Sequence, residues 1–159
     1  MKIQRNIQDV FQMWESHTLS ADRYYHHGNY KKASQSFSQS VDLIEPWLEK
    51  EDKELKTVIH LFVLSCHNTA HALHQIGRKK EAEYYYSHAH FRLLSLISQP
   101  RRPNKLMDVV VYELKCTLNQ LTSFLKGMNK TQLAGNIREE SVRVLRQSYL
   151  EYVDDVFAA

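Results

Sequence analysis

The sequence predicts an all-α fold, and three observations carry that expectation. Glycine and proline are scarce, four and three in 159 residues, which leaves room for long uninterrupted elements. Apolar residues recur at three- and four-residue spacings along nearly the whole chain. The breaks in that pattern are evenly spaced, with Gly28, Gly77 and Gly127 separated by 49 and 50 residues. Together these predict about six helices in three antiparallel hairpins, approximately 3–47, 53–98 and 105–157, within a single domain spanning 1–159. A chain of this length buries roughly two-thirds of the surface its unfolded form exposes.

The first helix is expected from Ile3 through Ile7, Val10, Phe11, Trp14, Ala21 and Tyr24, about 24 residues at 3.6 per turn. Gly28-Asn29 closes it, because glycine tolerates the left-handed conformation that ends a helix. The second runs from Tyr30 through Ala33, Phe37, Val41 and Ile44 to a break at Pro46-Trp47, since proline has no N–H to donate. EKEDKE is a short solvated connection, or the first exposed turn of the next helix, in which Asp52 suits an N-cap. The third helix carries Leu55, Val58, Ile59, Phe62, Val63, Cys66, Thr69, Ala70 and Leu73 and ends at Gly77. The fourth runs from about Lys79 to Leu96, where SQPRRPN interrupts it. The fifth spans about Lys105 to Gly127. The last begins at Asn136, whose spacing to Glu139 suits a capping box, or at Thr131. Its polar back, with Arg138, Glu139, Arg143, Arg146, Glu151 and Asp155, suits an end cap.

A fixed period is the mark of stacked supersecondary units. Cys66 and Cys116 share the 50-residue separation. In the first two units the side chains agree as well. Ala21 and Ala70 precede the turn glycine by seven, Ala33 and Ala82 follow it by five, Phe37 and Tyr86 by nine, and Ser40 and Ala89 by twelve. Small residues at such places let helices approach closely, and large ones fill the space beside them. This pattern resembles the tetratricopeptide repeat. GNYKKASQSF is similar to that repeat's turn and second helix, and Asn68 matches an asparagine of its first helix. The resemblance covers about 14–47 and 63–96. The period here is about 50 against the family's 34, Lys79 stands at the turn tyrosine, and Gln132 takes the alanine's place in the third unit. The resemblance implies a short α-solenoid, or right-handed superhelix, that binds other proteins without catalysis.

In that family the first helices of successive repeats line a groove that receives peptide segments. The transferred register places His67, His71 and His74 in the groove of the middle unit, beside Asn68. Thr18, Asp22 and Tyr25, with Glu15 and His26 nearby, are their counterparts in the first unit, and Thr117, Leu121 and Phe124 in the third. Independently of the resemblance, His60, His67, His71 and His74 fall on one side of a helix, a surface able to hydrogen-bond and stack. The alternative is a bundle whose histidine face holds a divalent metal or small ligand, with Asp22 adding an oxygen. Three rings on one straight helix converge poorly, so no cofactor is expected. Close histidines repel once protonated, so acidification through about pH 6.5 is expected to charge the groove.

Other functions find little support. The net charge of +3, from 21 basic and 18 acidic residues, is too balanced for a nucleic-acid footprint. No apolar run reaches the roughly 18 residues of a membrane span, and MKIQRNIQDVFQ lacks a signal peptide's apolar core. Cys66 and Cys116 form neither a CxxC pair nor a zinc spacing, and they suit the reducing cytoplasm. Ser65, Cys66 and His67 are consecutive on a helix and face different ways, so they make no nucleophile and base pair. There is no phosphate loop, HExxH or GxSxG. The expected partner is a protein or peptide, with no nucleic acid and no membrane. Tyr84, the exposed member of Tyr84-Tyr85-Tyr86, would suit a homo-oligomer interface.

Overall fold

A computed structural model describes residues 5–50, 53–99 and 103–157, and among them there is no strand. Six long helices account for most of the chain. Helix α1 (Ile7–His26) starts behind Asn6, whose side chain accepts the Asp9 N–H at 2.9 Å and so satisfies a donor the first turn leaves open. Helix α2 (Tyr30–Ile44) starts behind Asn29 in the same way, its side chain accepting the Lys32 N–H at 3.3 Å. Pro46 then tightens the chain into a 3-10 turn, Glu45–Glu49. Helices α3 (Leu55–Gln75), α4 (Lys79–Ile97), α5 (Asn104–Gly127) and α6 (Thr131–Ser148) follow. A 3-10 turn, Leu150–Tyr152, and a short α7 (Val153–Phe157) complete the order.

Several boundaries differ from expectation. Helix α1 begins at Ile7, and the proposed start at Ile3 lies outside the described residues, as does Asp52. Helix α6 begins at Thr131, the second of its two expected starts, so Asn136 lies inside it and caps nothing. The last helix also breaks at Tyr149, where φ −144° and ψ 56° leave the helical region, so its apolar pattern is shared by α6 and α7. Pro100, Arg101 and Arg102 fall outside the described residues, as does the side chain of Asp155.

The helix closures correct the sequence register. After α1, the Gly28 N–H donates to the Tyr25 carbonyl at 3.0 Å and the Asn29 N–H to the Tyr24 carbonyl at 2.8 Å. After α3, Gly77 donates to His74 and Arg78 to Leu73, both at 3.0 Å. After α5 the same pair of bonds runs from Asn129 to Lys126 at 3.0 Å and from Lys130 to Leu125 at 2.8 Å. These are three Schellman closures, with left-handed residues Gly28 (φ 73°), Gly77 (φ 74°) and Asn129 (φ 61°). Gly127 is the last residue of α5 and does not make the turn. Asparagine is the residue after glycine that visits this region most readily, which is how the third turn escaped a search for glycines.

Anchoring the third hairpin on Asn129 moves its register by two. The residue five beyond the closure is then Ala134, 1% exposed, matching Ala33 and Ala82 at 0%. Twelve beyond it is Ser141, buried like Ser40 and Ala89. The third hairpin therefore carries the small residue that Gln132 was expected to have replaced.

The chain forms two compact units, residues 1–85 and 86–159, and α4 runs through the boundary. In the first, α1 packs on α2 and α2 on α3. Ala21, Ala33 and Ala72, all at 0% exposure, meet Phe37 there, and Tyr25 packs against the cluster. Trp14 Nε1 donates to Ser65 Oγ at 2.7 Å, tying α1 to α3. In the second, α5 packs on α6 and α7 packs against both. Its fully buried side chains include Leu93, Ile97, Met107, Leu118, Leu121, Leu145 and Tyr149. No described helix is long and apolar enough to cross a membrane.

Candidate functional site

Helix α3 buries one half of its circumference: Leu55, Val58, Ile59, Phe62, Val63, Ser65, Cys66, Thr69, Ala70, Ala72 and Leu73. With 100° per residue, His60, His67, His71 and His74 fall within roughly 60° of one another on the opposite half. His60, His71 and His74 are exposed and His67 is half-buried. Asn68 is half-buried and lies further round the helix.

Burial, with the neighbouring His71 acting in the same direction, lowers the His67 pKa to about 4. His67 is therefore neutral across the range in which the stripe was expected to acquire charge. Among the described residues no group of three or more histidine, cysteine, aspartate or glutamate side chains is placed to hold a metal ion. Desolvation also raises the Cys66 thiol well above its ordinary value, with Glu45 adding to the shift, so Cys66 is a neutral core residue. Cys116 is half-buried, and its thiol is raised first by desolvation and then by Glu113.

The remaining expected groove residues are placed unevenly. In the first unit Asp22 is half-buried and His26 exposed, the latter edge-on to Tyr25 at 6.3 Å. Tyr25 itself packs on the alanine cluster and edge-on against Tyr30 at 5.0 Å, closing the core more than lining a groove. Thr18 turns to α2, its Oγ1 3.2 Å from Ser40 Oγ. Phe124 lies in the second unit, 9% exposed, with its ring 5.0 Å from that of Tyr86. Thr117 and Leu121 are buried. The two-residue shift explains these last three. Counted from Asn129, the positions equivalent to His67, His71 and His74 are Asn119, Ser123 and Lys126, and all three are exposed.

Sequence reasoning also passed over His90, which is fully buried in the second unit. Its Nδ1 lies 3.0 Å from Thr117 Oγ1 and its Nε2 2.8 Å from Ser141 Oγ, and burial lowers its pKa to about 4. The signal was present in Ser141, a small hydroxyl at the alanine position of the corrected register. His90 is a neutral core histidine that joins α4, α5 and α6, with each ring nitrogen within hydrogen-bond distance of a hydroxyl.

No curated protein and no solved structure matches the chain. The family model described as "Protein of unknown function (DUF2753)" matches residues 12–146. That span runs from α1 to near the end of α6 and so takes in all three Schellman closures and the histidine stripe, and the chain belongs to this family.

Proposed function

We propose that this protein is a non-catalytic, tetratricopeptide-like interaction module that receives a peptide or protein segment along the histidine stripe of α3. The observation that carries the reading is the division of α3 itself. One half of the helix is buried, while His60, His71 and His74 are exposed with half-buried His67 among them. Imidazoles at one-turn spacing offer donors, acceptors and flat faces to a peptide, and a neutral His67 does so without a charge to desolvate. The alanine five residues after each closure, Ala33, Ala82 and Ala134, supports the likeness to the repeat family. The two free thiols fit a cytoplasmic address. Tyr84, 58% exposed, remains the candidate contact for a second copy of the chain.

The test is affinity capture from cell extract with wild type beside His71→Ala/His74→Ala. His67 is spared because its burial would mix a folding defect with a binding one. The double variant is expected to retain its circular-dichroism melt and to lose a partner captured by wild type by about tenfold or more. Equal capture by both proteins, with both folded, would reject the stripe as the binding surface.

A further inference from the structure

A glycine sits inside α6 where neither backbone nor packing asks for one. Gly135 is not among the residues with positive φ, and a Cβ added there would meet nothing within 4 Å. Glycine inside a helix is less favourable than alanine, so α6 is weaker for lacking a side chain at this point. The bare position lies in an open, solvent-facing groove of about 580 Å³ along one face of α6, bordered by Arg138, Glu139, Val142, Arg143 and Arg146.

Helical geometry gives the lining an order. Gly135, Val142 and Arg146 fall within roughly 40° on the helix and form a low floor with a guanidinium at its end. Arg138 rises on one side, and Glu139 and Arg143 on the other. Two of the arginines are held in place. Arg138 donates to the Phe157 carbonyl at 3.1 Å with its guanidinium 5.4 Å from the Phe157 ring, and Arg143 donates to Glu140 at 2.9 Å. Each guanidinium has five N–H donors, so these contacts orient the groups without exhausting them. Among the described residues the lining holds three guanidinium groups against one carboxylate, which favours an anionic ligand. With Glu139 in the wall and Glu140 beside Arg143, that surplus is modest and fits separate carboxylates better than a polyphosphate.

We propose that this groove is a second binding site, which takes an acidic peptide segment of a partner protein. Its carboxylates meet Arg146 and Arg138 while a small side chain rests over Gly135 and Val142. The site lies in residues 86–159 and stands independently of the histidine stripe.

Fluorescence anisotropy tests it with a labelled octapeptide of alternating glutamate and alanine, beside a twin carrying glutamine for each glutamate. Wild type is expected to bind the acidic peptide saturably, and the twin about tenfold or more weakly. Arg146→Glu is expected to weaken the acidic peptide at least about tenfold by reversing a wall charge. Gly135→Phe is expected to weaken it comparably by filling the floor with every charge retained, which a merely basic helix face would not register. Both positions are exposed, and circular dichroism checks that the variants stay folded. Absence of saturation up to about 1 mM peptide, equal binding of the twin, or unchanged binding by folded Gly135→Phe would each overturn the site. Displacement of the peptide by inorganic phosphate at matching concentration would overturn the carboxylate assignment.

Discussion

His90 shows how a single residue can look functional by type and be structural by placement. A neutral imidazole has one N–H and one bare nitrogen, so one of its two hydroxyl partners accepts from the ring while the other donates to it. Thr117 also lies 3.0 Å from the Leu114 carbonyl, and Ser141 2.8 Å from that of Ile137. The hydroxyl that accepts from His90 can therefore place its own proton on the preceding turn. Ser141→Ala removes the partner of Nε2 and is expected to cost about 1–3 kcal/mol, read from urea unfolding. His67 and His90 should also stay neutral down to about pH 5.5, observable as a single protonated nitrogen in long-range ¹H–¹⁵N spectra. A cationic His90 ring at that pH would contradict the burial described above.

At the scale of elements, the Schellman closures are the recurrent device, and they respond differently to the same substitution. Gly28→Ala and Gly77→Ala put a Cβ into a left-handed residue and should each cost about 1–2 kcal/mol. Asn129→Gly relieves a mild strain at the third closure, and its melting temperature should not fall. Within α6, Gly135→Ala should instead stabilise by about 1 kcal/mol, because its backbone is helical and its Cβ meets open space. The alanine cluster behaves oppositely. Ala33→Leu forces bulk between α1, α2 and α3 and should cost about 1–3 kcal/mol in chemical unfolding.

For the whole molecule, the two buried histidines set an acid limit. Both have folded-state pKa values near 4 against 6.5 for a free imidazole. Above about pH 6.5 they are neutral whether the chain is folded or not, and their full contribution to stability is present. As pH falls below that, the unfolded chain takes up protons the folded one refuses, and stability is lost until the folded-state value is reached. For His90 the loss is about 3 kcal/mol, and for half-buried His67 it is less. His90→Leu should remove most of its share. Urea titrations at about pH 7 and pH 4 should then show a smaller drop in stability for the variant than for wild type.

The sequence by itself determined the helices and most of their ends, because apolar spacing, proline and glycine act locally on the backbone. Tyr30 and Lys79 begin helices as the pattern predicts, and the outward stripe of histidines follows from helical geometry alone. Local signals could not weigh Gly127 against Asn129, since choosing between them depends on which residue takes the left-handed turn. That choice displaced Thr117, Leu121 and Phe124 from surface to core in the third hairpin. Only the tertiary structure decided that His90 is buried between two hydroxyls, that His67 is neutral, and that Gly135 opens to solvent in a groove among arginines. Each of these depends on what surrounds a side chain in space, and desolvation and packing come from residues far away in sequence.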